Sequence, residues 1–173
     1  VRIDDPEIMH VYAAMDADGM VLSVDLAEGD AQVEELSNIA RAHPGLSVVL
    51  GHFAMANRPA WMEQLRLCKL PNVYVESGGI CWLFRDEGIE FAGAQEAIRV
   101  ARDEVGADKI MWGSDLPRTM VDFTYRQLLD FARYGCDIFT ADEKAAFLGG
   151  NAARVYGLDV NVPPREPLPL ITA

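Results

Sequence analysis

Lys109-Ile-Met-Trp-Gly-Ser-Asp-Leu-Pro117 decides how this chain is read. A short apolar run stops at glycine, a small polar residue and an acid, and Pro117 fixes the backbone just beyond. The pattern is that of a buried strand delivering a carboxylate, Asp115, at its C-terminal end. The same construction occurs three times upstream. Met20–Val24 ends in Asp25, Leu46–Leu50 ends in Gly51-His52, and Val73–Val75 ends in Glu76.

Helical signals fill the intervals. Ile8 to Ala17 reads as a helix that stops near Gly19. Asp30 can cap the next, in which Val33, Leu36, Ile39 and Ala40 recur at helical spacing until His43-Pro44-Gly45. Trp61 to Leu67 follows Pro59, and Ile80 to Glu90 is a long connecting segment. Ala94, Ala97, Ile98, Ala101 and Val105 mark an amphipathic helix ended by Gly106. A helix over Asp122 to Tyr134 comes next. The last opens with Thr140-Ala-Asp-Glu143, a capping-box pattern, and runs toward Asn151 and Tyr156. Residues 1–158 form one domain on this reading, and the proline-rich stretch 159–173 is a tail.

The order α, β, α, β, α, β, α, β, α, α predicts right-handed crossovers and a parallel sheet. The strands are apolar throughout, as when both faces are covered. Four such units fit a small doubly wound sheet. They equally fit half of a (β/α)₈ barrel, which needs about 250 residues. Glycine-rich phosphate loops of the GxGxxG or GxxxxGK[ST] type are absent, which counts against nucleotide binding.

Composition narrows the function. Half of the 173 residues are apolar and 24% are charged, an ordinary globular balance. The net charge of −12 and the lack of a Lys/Arg cluster argue against nucleic acid. No apolar run approaches the ~20 residues that cross a bilayer, so no membrane role is expected. Cys68, Cys81 and Cys136 form no CxxC pair and read as reduced thiols, which predicts a cytoplasmic protein.

In a parallel α/β sheet all C-terminal strand ends lie on one side. Asp25, His52, Glu76 and Asp115 therefore share one rim, a place for acid–base chemistry or metal binding. Each has an ordinary alternative: a cap or loop residue for Asp25, a satisfied structural histidine for His52, a solvated turn for Glu76. Arg118 either binds an anionic substrate or pairs with an acid. Trp82, Phe84 and Arg85 either line a pocket or pin a loop. His43 and His10 read as structural or surface residues.

The combination Gly51-His52, Pro71–Val75, Ile110–Pro117 and Gly150-Asn-Ala-Ala-Arg154 with Tyr156-Gly157 resembles the C-terminal half of amidohydrolase-related metal-dependent hydrolases. That family includes lactonases and zinc decarboxylases. The resemblance implies strands five to eight of a TIM-type (β/α)₈ barrel, and an N-terminal half-barrel that this chain, beginning at Val1, does not contain. It implies that Asp115, after strand eight, takes a proton from the attacking water and touches a metal. It implies that His52, after strand six, orients substrate or binds metal, and that Asn151 closes the barrel on its last helix.

Two departures qualify the picture. No His-x-His pair, expected at strand one, occurs anywhere in the chain. Asp25 stands where strand five often carries a histidine ligand; some lactonase-like members are similar in lacking that histidine, and they work without a metal. The expectation is a hydrolase of a carbonyl compound such as a lactone or related ester. Asp115 and His52 are catalytic, Arg118, Glu76, Asp25 and Trp82 bind a small-molecule substrate, and Asp115 and His52 are candidate ligands for a divalent metal, zinc first. A metal-dependent decarboxylase and a non-catalytic half-barrel fragment are the alternatives. Two open strand edges favour a homo-oligomer.

Overall fold

The computed structural model describes residues 2–26, 32–88 and 90–159. The cap expected at Asp30 and nearly all of the expected tail lie outside the described residues. Helix α1 spans Met9–Ala17, strand β1 Val21–Val24, α2 Val33–Ala42 and β2 Ser47–Leu50. Then come α3 (Trp61–Leu65), β3 (Val73–Glu76), α4 (Ile80–Leu83), α5 (Ala92–Val105) and β4 (Ile110–Met111). Helices α6 (Tyr125–Asp130), α7 (Ala141–Ala145) and α8 (Asn151–Val155) finish the described chain.

The four strands pair in sequential order β1-β2-β3-β4, every pair parallel. Register sets Leu22 beside Val48, Val48 beside Val73, Leu50 beside Val75, and Val75 beside Ile110. Side chains alternate along a strand, so these residues share one face. They pack with Leu36, Ile39 and Ala40 of α2 and Ala94, Ala97, Ile98 and Ala101 of α5 in one core. Fully burying each leucine or isoleucine contributes about 1.5–3 kcal/mol.

The opposite face meets the expectation of strands buried on both sides only in part. Ser23 is exposed and Tyr74 is half-buried. Lys109 Nζ lies 4.6 Å and the Arg154 guanidinium 5.5 Å from the Tyr74 ring centre. These cationic groups lie against Tyr74, whereas Val49 and Met111 of the same face are buried, as expected.

The ends of the helices are set by local chemistry. Gly106, at φ 96°, ends α5. The capping box at Thr140 and Glu143 forms as expected, and a second, at Thr124 and Gln127, starts α6. Two stretches wind more widely than an α-helix, at Phe131–Gly135 and Ala146–Gly150. Within the second, the Phe147 carbonyl accepts from Trp112 N at 2.8 Å, which ties the last helical run to the end of β4. At the other end of β4, Asn151 Nδ2 donates to the carbonyls of Ala107 and Ile110, both at 2.8 Å.

The three cysteines are buried and unpaired. Burial pushes each thiol up to about 12, which suppresses thiolate chemistry. Among the described residues no helix is long and apolar enough to cross a membrane.

Candidate functional site

Parallel pairing brings the four polar strand ends to one side of the sheet, as the sequence predicts. Asp25, Leu26, His52, Met55, Trp82, Asp115 and Arg118 line a cleft of about 350 Å³ there. Five of the six candidate residues therefore meet in one place. Glu76 stands behind them.

His52 is held from three sides. Its Nδ1 lies 2.8 Å from Asp25 Oδ1, so the proton sits on Nδ1 and points at the carboxylate. Its Nε2 faces Asp115 Oδ1 at 3.6 Å. Its backbone N–H donates to Glu76 Oε1 at 3.0 Å. Gly51 makes the first contact sterically open, because a Cβ there would lie 2.3 Å from Asp25 Oδ1. Beyond it the chain turns left-handed for four residues, with φ between 47° and 56° from His52 to Met55.

The imidazole titrates above its ordinary value of 6.5. Burial lowers it, but the Asp25 hydrogen bond and the charges of Asp25, Asp115 and Glu76 outweigh burial. Protonated, His52 is a donor at Nε2; neutral, it is an acceptor there.

Asp115 sits on the turn after β4, itself at φ 52°. Buried Thr119 braces that turn. Its hydroxyl donates to the Ser114 carbonyl at 2.7 Å, and its N–H donates to the Asp115 carbonyl at 3.1 Å. The Asp115 side chain is 22% exposed, so one edge faces the cleft.

Glu76, expected to bind substrate, spends its oxygens on the backbone. Oε1 accepts from His52 N, and Oε2 accepts from Gly78 N at 2.7 Å. Burial raises its carboxyl above the ordinary range, against the pull of those two donors. It links the loop after β2 to the loop after β3, and it lies outside the cleft lining.

Trp82, expected in a long loop, belongs to the one-turn helix α4. That helix starts at Gly79, whose φ of 71° suits glycine. Asn57 Nδ2 donates to the Leu83 carbonyl at 3.0 Å and joins α4 to the His52 loop. The guanidinium carbons of Arg85 and Arg118 lie 5.1 and 5.5 Å from the Trp82 ring centre.

Sequence reasoning missed Leu26, Met55, Gly79 and Thr119. Nothing in their local pattern separates them from core, loop or cap residues. For Gly79 the only signal is the glycine pair Gly78-Gly79 after a strand, which marks a turn but not what the turn approaches.

The donor set bears on a metal. His52 Nε2 and Asp115 Oδ1 are close enough to share a cation, while Nδ1 is committed to Asp25. A catalytic zinc takes three protein ligands and leaves one position open. Among the described residues no group of three His, Cys, Asp or Glu side chains is placed to hold a metal. These two donors alone do not make such a site.

An oriented histidine and a carboxylate at the strand ends of a parallel α/β sheet define an enzyme-type acid–base site. The wider class is visible in comparison. The family model described as Amidohydrolase matches residues 2–158, and the chain belongs to that family. It is 29% identical over 167 residues to an L-fucono-1,5-lactonase of Burkholderia ambifaria, covering 91% of this chain and 57% of the relative. An amidohydrolase from Burkholderia multivorans has been solved with HEPES and with zinc. It superposes with TM-scores of 0.75 and 0.72 at 22% and 23% identity, over 90% of this chain and 59% of that one. A probable 2-pyrone-4,6-dicarboxylic acid hydrolase from Acinetobacter baumannii, solved with citric acid, gives 0.73 at 17% identity, over 91% of this chain and 60% of that one. The chain thus spans somewhat more than half the length of these relatives.

Proposed function

We propose that this chain carries the acid–base half of a lactone hydrolase. The observation behind the reading is the pair His52 Nε2 and Asp115 Oδ1, 3.6 Å apart in a cleft, with the imidazole fixed from behind by Asp25. Support for the lactone comes from the name of the Burkholderia ambifaria relative.

On this reading the lactone carbonyl oxygen accepts from protonated His52 Nε2, and a water lies against Asp115. Asp115 takes one proton from the water as its oxygen bonds to the carbonyl carbon. The resulting oxyanion is stabilised by the imidazolium. The intermediate collapses with cleavage of the ring C–O bond, and Asp115 returns the proton to the departing ring oxygen. One lactone and one water become one hydroxy acid. A carboxylate is a weak base beside the hydroxide it has to generate, so polarisation of the carbonyl by His52 has to share the work. Asp25 and Glu76 act by positioning His52, one through its ring and one through its backbone.

The same reading takes β1 to β4 as the last four strands of a (β/α)₈ barrel. Sequential parallel order and the partial coverage of the relatives support it.

Asp115→Asn tests the mechanism. It keeps the shape and removes the base, and turnover of a lactone panel should fall by about 10²–10⁴. Unchanged turnover in the variant overturns the mechanism.

A further inference from the structure

We propose that the outer edge of β1 is an interaction surface, and that its partner is the same strand of a second copy of this chain, antiparallel across a two-fold axis at Leu22. The proposal goes beyond the lactonase reading and stands on the sheet edges alone.

The two edges of the sheet are unequal. In a strand the N–H and C=O of one residue point to one side, and those of its neighbours to the other. Ser77 N donates to the Met111 carbonyl at 2.8 Å, so Met111 faces β3, and Ile110 and Trp112 face outward. Both of these are engaged. The Ile110 carbonyl accepts from Asn151 Nδ2, and Trp112 N donates to the Phe147 carbonyl, each at 2.8 Å. The last helical run therefore occupies the outer edge of β4. At β1, Gly51 N donates to the Val24 carbonyl at 3.0 Å, so Leu22 and Val24 face β2 while Val21 and Ser23 face outward. Among the described residues no backbone group meets those of Val21 and Ser23.

A strand edge that stays open is normally guarded by a lysine, a proline, a bulge or an inward charge. Residues 19–24, Gly-Met-Val-Leu-Ser-Val, contain no proline and no charged side chain, and β1 runs beside β2 without a bulge. Met20, immediately before the strand, is 50% exposed. These are the properties of a strand that is paired. The barrel reading also sets a strand at this edge; for the 173-residue chain the strand at hand is that of a second copy.

Two identical edges complete each other across a two-fold axis. With Leu22 on the axis, Val21 lies opposite Ser23 of the second copy, and Ser23 opposite its Val21. Such pairs exchange both N–H···O bonds, so every outward group of the strand gains a partner. Leu22 meets its own counterpart, and Met20 lies opposite Val24, apolar against apolar. The β4 of a second copy is a poorer partner, because its outward Ile110 and Trp112 groups are taken. A net charge of −12 on each chain opposes association, so the dimer should tighten as salt screens it.

Sedimentation velocity of the unaltered chain should show a species of twice the chain's mass that grows with protein concentration and with salt. Ser23→Pro removes an outward N–H and spares the ladder to β2, and it should weaken the dimer about tenfold or more. Leu22→Cys tests the register. Leu22 and its counterpart form a non-hydrogen-bonded pair with Cα atoms about 4.5 Å apart, within reach of a disulfide. Mild oxidation should join this variant through residue 22, whereas the buried native cysteines leave the unaltered chain without a cross-link. Circular dichroism of each variant checks folding. A monomer at every concentration and salt, a dimer that folded Ser23→Pro leaves intact, or a Leu22→Cys dimer that oxidation does not join overturns the proposal.

Discussion

Gly79 stands directly against His52. A Cβ on it would lie 3.0 Å from the imidazole Cδ2, and only 3.2 Å from Asp115 Oδ2. The glycine at the start of α4 therefore sets the space between the two site residues. Its φ of 71° adds a backbone reason for glycine. Gly79→Ala should cost about 1–2 kcal/mol from backbone strain. It should also lower the proposed lactone turnover by more than that destabilisation explains, because the methyl group displaces both side chains. Chemical denaturation and kcat measured on one preparation separate the two effects.

Thr119 offers a test of how stiff the Asp115 turn must be. Thr119→Val keeps the shape and removes the hydroxyl that donates to Ser114. With Thr119 fully buried, the abandoned carbonyl should cost about 1–3 kcal/mol. A midpoint unchanged in urea would show that the bracing hydrogen bond contributes nothing.

Asn151 is a stability prediction away from the cleft. It is buried and donates to two carbonyls before and within β4, while Arg154 Nη2 donates to its Oδ1 at 3.2 Å. Asn151→Ala takes this donor from the Ala107 and Ile110 carbonyls and should lower stability by about 2–4 kcal/mol. Asn151→Asp should do worse than a size change alone, because it sets a charge with no donor hydrogens against carbonyl oxygens. Thermal unfolding of both variants checks the order.

Glu76 and His52 make stability depend on pH in the same direction. Burial raises the folded carboxyl of Glu76 above its ordinary 4.5, so the native state holds the proton more tightly than the unfolded chain. That contribution is complete below pH 4.5 and is lost as pH rises through the raised folded value. His52, also raised, contributes fully below 6.5 and loses its contribution at higher pH, through its own folded value. Glu76→Gln should flatten the melting-temperature profile just above pH 4.5. His52→Asn should flatten it above 6.5. A profile of unchanged slope in either variant contradicts the corresponding assignment.

The alternation of apolar runs with helical spacings was enough to order these elements, since burial sets both periods. Leu46–Leu50 and Ala94–Val105 could hardly be anything else. The polar rim was legible for a topological reason, as parallel strands all end on one side. Other features depend on distant partners and were not legible. Tyr74 takes Lys109 and Arg154 against its ring, and no local pattern announces that. Trp82 looked like a loop residue because a one-turn helix is too short to show periodicity. Glu76 looked like a ligand for substrate because its role depends on two backbone donors, one of them 24 residues upstream.

The left-handed run from His52 to Met55 has a consequence for the order in which the molecule assembles. None of these four residues is glycine, and each visits that conformation at a cost of roughly 1–2 kcal/mol in a free chain. The nascent loop will not hold it unaided. It needs the carboxylate of Glu76, which arrives only when the third strand docks beside the second. Refolding should accordingly recover helical signal before the imidazole finds its place, making the proposed lactone turnover a late reporter of a completed sheet.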